Sequence, residues 1–152
     1  FTSATTISFT TGTAGLTNGQ NVRILVTNPD GNAARSSSDL VVSDGPVFTT
    51  TSLPNGSAGT SYSQNIDVTG DSAVTISQSV VSGSLPPGIT IGTTSNPSGS
   101  TYRAVISGTL PSPASETQYS FTVRATDAQG QTTDQALSIT VEVGIQNAGG
   151  FC

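Results

Sequence analysis

Apolar and polar residues alternate in short bursts along most of this chain. The sharpest burst is Tyr119–Thr126, with Tyr119, Phe121, Val123 and Ala125 on one side and Ser120, Thr122, Arg124 and Thr126 on the other. A period of two is the signature of a half-buried β-strand. The pattern resumes over Thr133–Val143, with Leu137, Ile139, Val141 and Val143 inward, after a turn closed by Gly130. Val22–Val42 is built alike. Val22, Ile24 and Val26 alternate with Arg23, Leu25 and Thr27, and Asn28-Pro29-Asp30-Gly31 makes a turn. There Pro presets the first corner and Gly accepts positive φ. A polar stretch follows, and Asp39–Ser43 resumes a strand. Each stretch reads as the last hairpin of a β domain.

Other segments fill in the plan. Thr5–Phe9 reads as a short strand and Thr11–Gln20 as a loop, and Asp44-Gly45-Pro46 breaks the pattern. Beyond it come Val47–Thr51, Tyr62–Thr69, Val74–Val80, Ile89–Gly92, Tyr102–Gly108, Gln118–Thr126 and Thr133–Val143. They number about seven, the strand count of an Ig-like sandwich. No window carries a helical period. The expected fold class is therefore all-β, with Ig-like β-sandwiches in tandem. Residues 1–45 are expected to be the C-terminal part of an N-terminally incomplete domain, 46–143 a complete sandwich, and 144–152 a Gly-rich tail or linker. The expected inward set is Val47, Tyr62, Ile66, Val68, Ile76, Leu85, Ile89, Ile106, Phe121, Val123, Leu137, Ile139 and Val141. The first segment has few strands and one exposed apolar face, so it needs strands from upstream sequence or from another chain.

Composition narrows the chemistry. Hydrophobic residues make up 33% of the chain and charged ones 9%, with no His, Met or Trp. The net charge of −5 rests on nine acids and four arginines, Arg23, Arg35, Arg103 and Arg124, so Lys is absent. The arginines are scattered and form no basic patch, which argues against nucleic acid as a partner. No run approaches the roughly 20 apolar residues of a membrane span, so membrane insertion is not expected. The chain opens FTSATTISF, without an initiator Met or a signal peptide, and reads as a processed product or a fragment of a longer polypeptide. The single cysteine, Cys152, permits no internal disulfide and leaves stability to burial and strand pairing.

Two family resemblances follow from these residues. Leu53-Pro54 with Gly59-Thr60-Ser61-Tyr62-Ser63-Gln64 opens the first, followed by Ser82-Gly83-Ser84-Leu85-Pro86-Pro87-Gly88-Ile89. Ile106-Ser107-Gly108-Thr109, Tyr119-Ser120-Phe121-Thr122-Val123 and Thr126-Asp127 with Gly130 complete it. In this order the segment Val47–Val143 resembles the Ig, cadherin-like family called He_PIG. It departs from that family's pattern at Ile76, where such domains often carry Trp. Thr5-Thr6-Ile7, Gly15 and Val22 to Gly31 make Phe1–Asp44 similar to the final part of an IPT/TIG domain. Both resemblances imply binding or spacer modules without catalytic residues, found on bacterial surfaces and in phage virions. The Lys-free style of SLPPGI and FTVRATDAQGQ resembles phage tail, fibre or capsid-accessory proteins.

The residues themselves agree that this is no enzyme. Without His or Lys there is no Ser-His or Cys-His nucleophile and no Schiff base. Paired carboxylates must flank a cleft to cut a glycoside, whereas Asp67 with Asp71 brackets a turn and Asp127 with Asp134 a hairpin. No cofactor is expected. Calcium is the chemical alternative, with Asp127 and Asp134, or Asp67 and Asp71, as hard oxygen ligands. No EF-hand spacing accompanies them, and the simpler reading makes Asp127 the cap of its own turn. Tyr102 and Arg103 are the candidate binding residues, since an exposed Tyr102 would stack on a sugar. Tyr62 is read as buried, Tyr119 as a tyrosine corner, and Leu85-Pro86-Pro87-Gly88 as a rigid bend.

The expected role is a non-enzymatic structural or adhesive Ig-like module of a phage virion protein, at the virion surface. Its expected partners are other virion or surface proteins, further copies of itself as a homo-oligomer, and host-surface glycans. The alternatives are an extracellular adhesin repeat on a bacterial cell surface, or a carbohydrate-binding accessory module of a secreted glycoside hydrolase.

Overall fold

The structure is a computed structural model that describes residues 20–27, 29–37, 39–41 and 44–144. The chain divides into two compact units, Phe1–Ser43 and Asp44–Cys152. All regular structure among the described residues is β. Thr5–Phe9, most of the Thr11–Gln20 loop and Cys152 lie outside the described residues.

In the first unit, β1 (Asn21–Val22) pairs antiparallel with β4 (Leu40–Val41), and β2 (Leu25–Thr27) pairs with β3 (Ala33–Arg35). The continuous strand expected over Val22–Thr27 is interrupted at Arg23–Ile24. There the Ile24 N–H donates to Ser36 Oγ and the Ile24 carbonyl accepts the Ser36 N–H. The stretch after the turn, too polar to read as a strand, supplies β3. Gly31 sits in the left-handed region at φ 85°, and Asp30 Oδ1 accepts the Asn32 N–H.

The second unit is a sandwich. One sheet has the order β10 (Ile89–Ile91), β12 (Thr101–Thr109), β7 (Ser61–Thr69), β5 (Val47–Phe48), with β11 (Ser95–Ser98) also on β12. The other has the order β6 (Gly56–Ser57), β14 (Thr132–Glu142), β13 (Thr117–Asp127), β8 (Val74–Ile76), with β9 (Ser82–Gly83) also on β13. The long pairs set the register: Tyr102↔Val68 through Thr109↔Ser61 in the first sheet, Phe121↔Leu137 and Arg124↔Asp134 in the second. The chain crosses between sheets at Thr51–Asn55, so β5 belongs to one sheet and β6, parallel to β14, to the other.

The core lies between the sheets. Ile66, Val68, Ile106, Val123, Ile139 and Val141 are fully buried, as the period-two pattern predicts. A fully buried side chain of this size contributes roughly 1.5–3 kcal/mol of transfer free energy. Ile76 is also buried. Val47 corrects the expected inward set: it is 58% exposed, and Phe48 is buried in its place. A two-residue strand offers no period to fix its parity; Phe48 pairs with the fully buried Val68 and shares its inward face. Val74, Ile91, Ala104 and Leu110 complete the core beyond the residues named from sequence.

Two glycine motifs acquire a reason. Gly108 (φ 148°) faces Ile89 across the β10–β12 ladder, where a Cβ would run into the Gly88 carbonyl. Gly83 (φ 74°) lies against the backbone of Ser120 and Phe121, where no side chain fits. The SGSLPPGI and ISGT segments are thus sites of close backbone approach.

Candidate functional site

Each sheet turns one face to the core and one outward, so adjacent residues of a strand are separated by the sheet itself. On β12, Ala104 and Ile106 are fully buried and Tyr102 shares their face. Tyr102 is half-buried and packs against the core at the end of the sandwich. Arg103 points the other way. It pairs across the ladder with Asp67 through two hydrogen bonds, Nε to Oδ1 at 2.6 Å and Nη2 to Oδ2 at 2.7 Å. Tyr102 and Arg103 therefore do not form one binding site, because neighbours in a strand alternate faces.

The same parity separates Asp127 from Asp134. Asp127 continues the inward row of Val123 and Ala125 and is buried. Its Oδ1 accepts the N–H groups of Gln129 (2.9 Å) and Gln131 (2.7 Å), capping the turn that Gly130 closes at φ 84°. Oδ2 is buried without a hydrogen-bond partner. Asp134 faces outward, opposite Arg124, which holds both its oxygens at 2.7 Å. The hydrogen bonds from Arg124, ahead of its positive charge, hold the Asp134 carboxyl below the usual carboxylate range. The two carboxylates thus aim at opposite sides of the hairpin and do not converge on one ion. In the other pair, Asp67 is held by Arg103 and Asp71 Oδ2 accepts the Asp44 N–H. Among the described residues no three His, Cys, Asp or Glu side chains form a metal-binding group.

Tyr62 is buried, and its hydroxyl donates to the Pro54 carbonyl at 2.8 Å. Burial raises its pKa. It pins the segment that crosses between sheets. Tyr119, half-buried, packs against the core.

The outer faces are therefore built alike. Each carries one bidentate Arg–Asp pair among mostly small polar residues, with Val47 and Val105 exposed on the first and Glu142 on the second. Ser63, Asn65 and Ser107 flank Arg103–Asp67, and Ser120, Thr122 and Ser138 flank Arg124–Asp134. Ser82 Oγ donates to Thr122 Oγ1 at 2.9 Å on the same outer face. A shallow depression of about 430 Å³ lies over this second sheet, lined by Ser82, Gly83, Ser120, Ala136 and Ser138 and bounded by Thr51–Leu53. Leu53, Phe121 and Leu137 also line it, and Phe121 and Leu137 are themselves buried, so it offers small residues and no exposed aromatic platform. Sequence reasoning missed this face. Its residues are outward polar positions with no motif, and only strand pairing assembles them.

The family model of He_PIG, described as "Putative Ig domain", matches residues 45–142. No curated protein matches the chain. Among solved structures the chain is similar to "Endo-fucoidan hydrolase MfFcnA4 from glycoside hydrolase family 107" at 21% identity and a TM-score of 0.48, covering 86% of this chain and 20% of that one. It is also similar to "Endo-fucoidan hydrolase MfFcnA9 from glycoside hydrolase family 107" at 20% identity and a TM-score of 0.42, covering 82% of this chain and 22% of that one. The chain spans about a fifth of the length of those proteins.

Proposed function

The chain belongs to the He_PIG family of Ig domains, and from that premise we propose that it is a non-catalytic structural and adhesive module of a phage virion protein. It spaces its neighbours and makes contacts at the virion surface, with other virion proteins, with copies of itself and with host-surface glycans. The observation that carries this reading is the make-up of the two outer faces. Both arginines there are closed into Arg103–Asp67 and Arg124–Asp134, and their neighbours on the ladders are mostly small polar side chains. Such faces have no flexible cations and suit wet, weak contacts whose strength comes from repetition. The absence of His and Lys supports the non-catalytic part.

The test is localisation together with activity. Antibody against the Asp44–Gly144 sandwich should decorate intact phage particles, and the purified chain should release no reducing ends from polysaccharides. Decoration of a bacterial envelope instead, or polysaccharide cleavage, overturns the proposal.

A further inference from the structure

The basic side chains of this chain are four arginines, so an arginine-specific endoprotease of the trypsin class has four bonds to choose from. Such an enzyme takes its substrate as an added β-strand. It needs the arginine side chain free to enter an acidic pocket and the arginine carbonyl free to enter an oxyanion hole. Within the sandwich both requirements fail. Arg103 and Arg124 are held through two hydrogen bonds each by Asp67 and Asp134. The Arg103 carbonyl accepts the Ser95 hydroxyl at 3.2 Å, and the Arg124 carbonyl accepts the Ser77 N–H at 2.9 Å. β12 and β13 are paired on both sides, and the residues that follow these arginines, Ala104 and Ala125, are fully buried.

Arg35 is the opposite case. It ends β3, where Ala33, Ala34 and Arg35 are all exposed. The ion pairs among the described residues engage Arg23, Arg103 and Arg124 and leave Arg35 out. Its carbonyl is free for a reason of register. The Ser36 N–H donates to the Ile24 carbonyl at 2.9 Å. That bond makes Leu25↔Arg35 a pair whose own N–H and C=O groups turn away from each other. In a strand, the N–H and C=O of every second residue point the same way. Those of Arg35 and Ala33 therefore aim off the side of β3 that faces away from β2, where no described strand pairs. The flanking side chains, Ala33, Ala34, Ser36 and Ser37, are small, and none is Pro. Arg23, the remaining candidate, is ion-paired with Asp39, and the Ile24 N–H beyond it is held by Ser36 Oγ.

The geometry points to Arg35–Ser36 as a processing site for an arginine-specific serine endoprotease. Water hydrolyses the amide, leaving a carboxylate on Arg35 and an amine on Ser36. The cut parts β1, β2 and β3 from the rest of the polypeptide and breaks no ladder of the sandwich, which begins beyond it. Exposed segments of small and polar residues are where proteolytic nicking concentrates. Here the same chain adds an arginine with a free side chain and a free carbonyl at one such place and closes both groups at Arg103 and Arg124. This inference goes beyond the reading above and does not depend on it, since the cut needs neither a virion nor a host.

Limited digestion of the full chain with trypsin, followed over time by mass spectrometry, tests it. The expected first products are Phe1–Arg35 and Ser36–Cys152, and the second should persist. Cuts after Arg103 and Arg124 should be at least about a hundredfold slower, because they wait on opening of the sandwich. Arg35→Gln should abolish the first cut and leave the melting of the sandwich unchanged. Adding urea to the unfolding midpoint should bring the cuts after Arg103 and Arg124 up toward the rate after Arg35, which shows that the fold protects them. A first cut after Arg23, or equal rates after Arg23 and Arg35 as a merely unfolded first unit would give, overturns the proposal. So does cutting after Arg103 or Arg124 in the native chain as fast as after Arg35, or a native chain that trypsin leaves whole.

Discussion

The β2–β3 and β13–β14 hairpins start from one local recipe and end differently. Each alternates apolar and polar residues, and each turn ends on a left-handed glycine, Gly31 at φ 85° and Gly130 at φ 84°. In each, an aspartate side chain accepts a backbone N–H of the turn, Asp30 from Asn32 and Asp127 from Gln129 and Gln131. Yet β2 and β3 are three residues each and wholly exposed, with Leu25 at 54% and Val26 at 41%. β13 and β14 are 11 residues each and bury Phe121, Val123, Leu137 and Ile139. A two-stranded ribbon is marginal in water, and strands persist where a second layer covers one face. The difference teaches that turn chemistry starts a hairpin and burial determines its length.

Substitutions can break or sharpen this comparison, and the largest effect is expected in the core. Ile139→Ala should cost about 2–5 kcal/mol as cavity and lost transfer energy, whereas Leu25→Ala should stay within about 0.5 kcal/mol. Urea unfolding of both variants checks this, and equal losses would contradict the contrast between the hairpins. Next comes backbone approach. Gly108→Ala combines a left-handed φ with a Cβ against the Gly88 carbonyl and should cost about 1–3 kcal/mol or more. Gly31→Ala has open space around it and pays the conformational strain alone, about 1–2 kcal/mol. Thermal melts of the two variants should rank in that order. Asp127→Ala leaves the N–H groups of Gln129 and Gln131 without their acceptor, a loss of about 1–3 kcal/mol. Faster amide exchange confined to those two residues and their turn would identify the cause.

The smallest effect belongs to pH. Asp134 has a folded pKa below its unfolded value because Arg124 hydrogen-bonds its charged form. Its contribution is therefore complete above the unfolded value of about 3.9 and is lost as pH falls through the folded value. Asp134→Asn should flatten the acid limb of stability below about pH 4 and change little at neutrality. Since both side chains are about two-fifths exposed, added salt should shrink the difference further. Urea midpoints measured from pH 6 down to pH 2, with and without salt, test this.

Much of the sandwich was legible because a strand's period is local. Tyr119–Thr126 and Thr133–Val143 declare their inward rows without reference to anything else, and Ile66, Val68 and Ile106 follow the same rule. Short elements were not legible. Val47–Phe48 took the opposite parity, and Gly56–Ser57, Ser82–Gly83 and Ser95–Ser98 are strands only because a long neighbour pairs with them. The candidate site was the least legible part. Tyr102 beside Arg103, and Asp127 with Asp134 in one hairpin, look like neighbours in sequence but lie on opposite faces. The partners that matter, Asp67 for Arg103 and Arg124 for Asp134, are chosen by the ladder.

By itself the amino-acid order determined the all-β class, the inward rows of the long strands and the glycines at the turns, because alternation and φ preference act over a few residues. Only the tertiary structure decided which charges neutralise one another and which aspartate is buried. Each of these depends on which distant strand lies alongside, and a chain read one segment at a time carries no record of its neighbours in space.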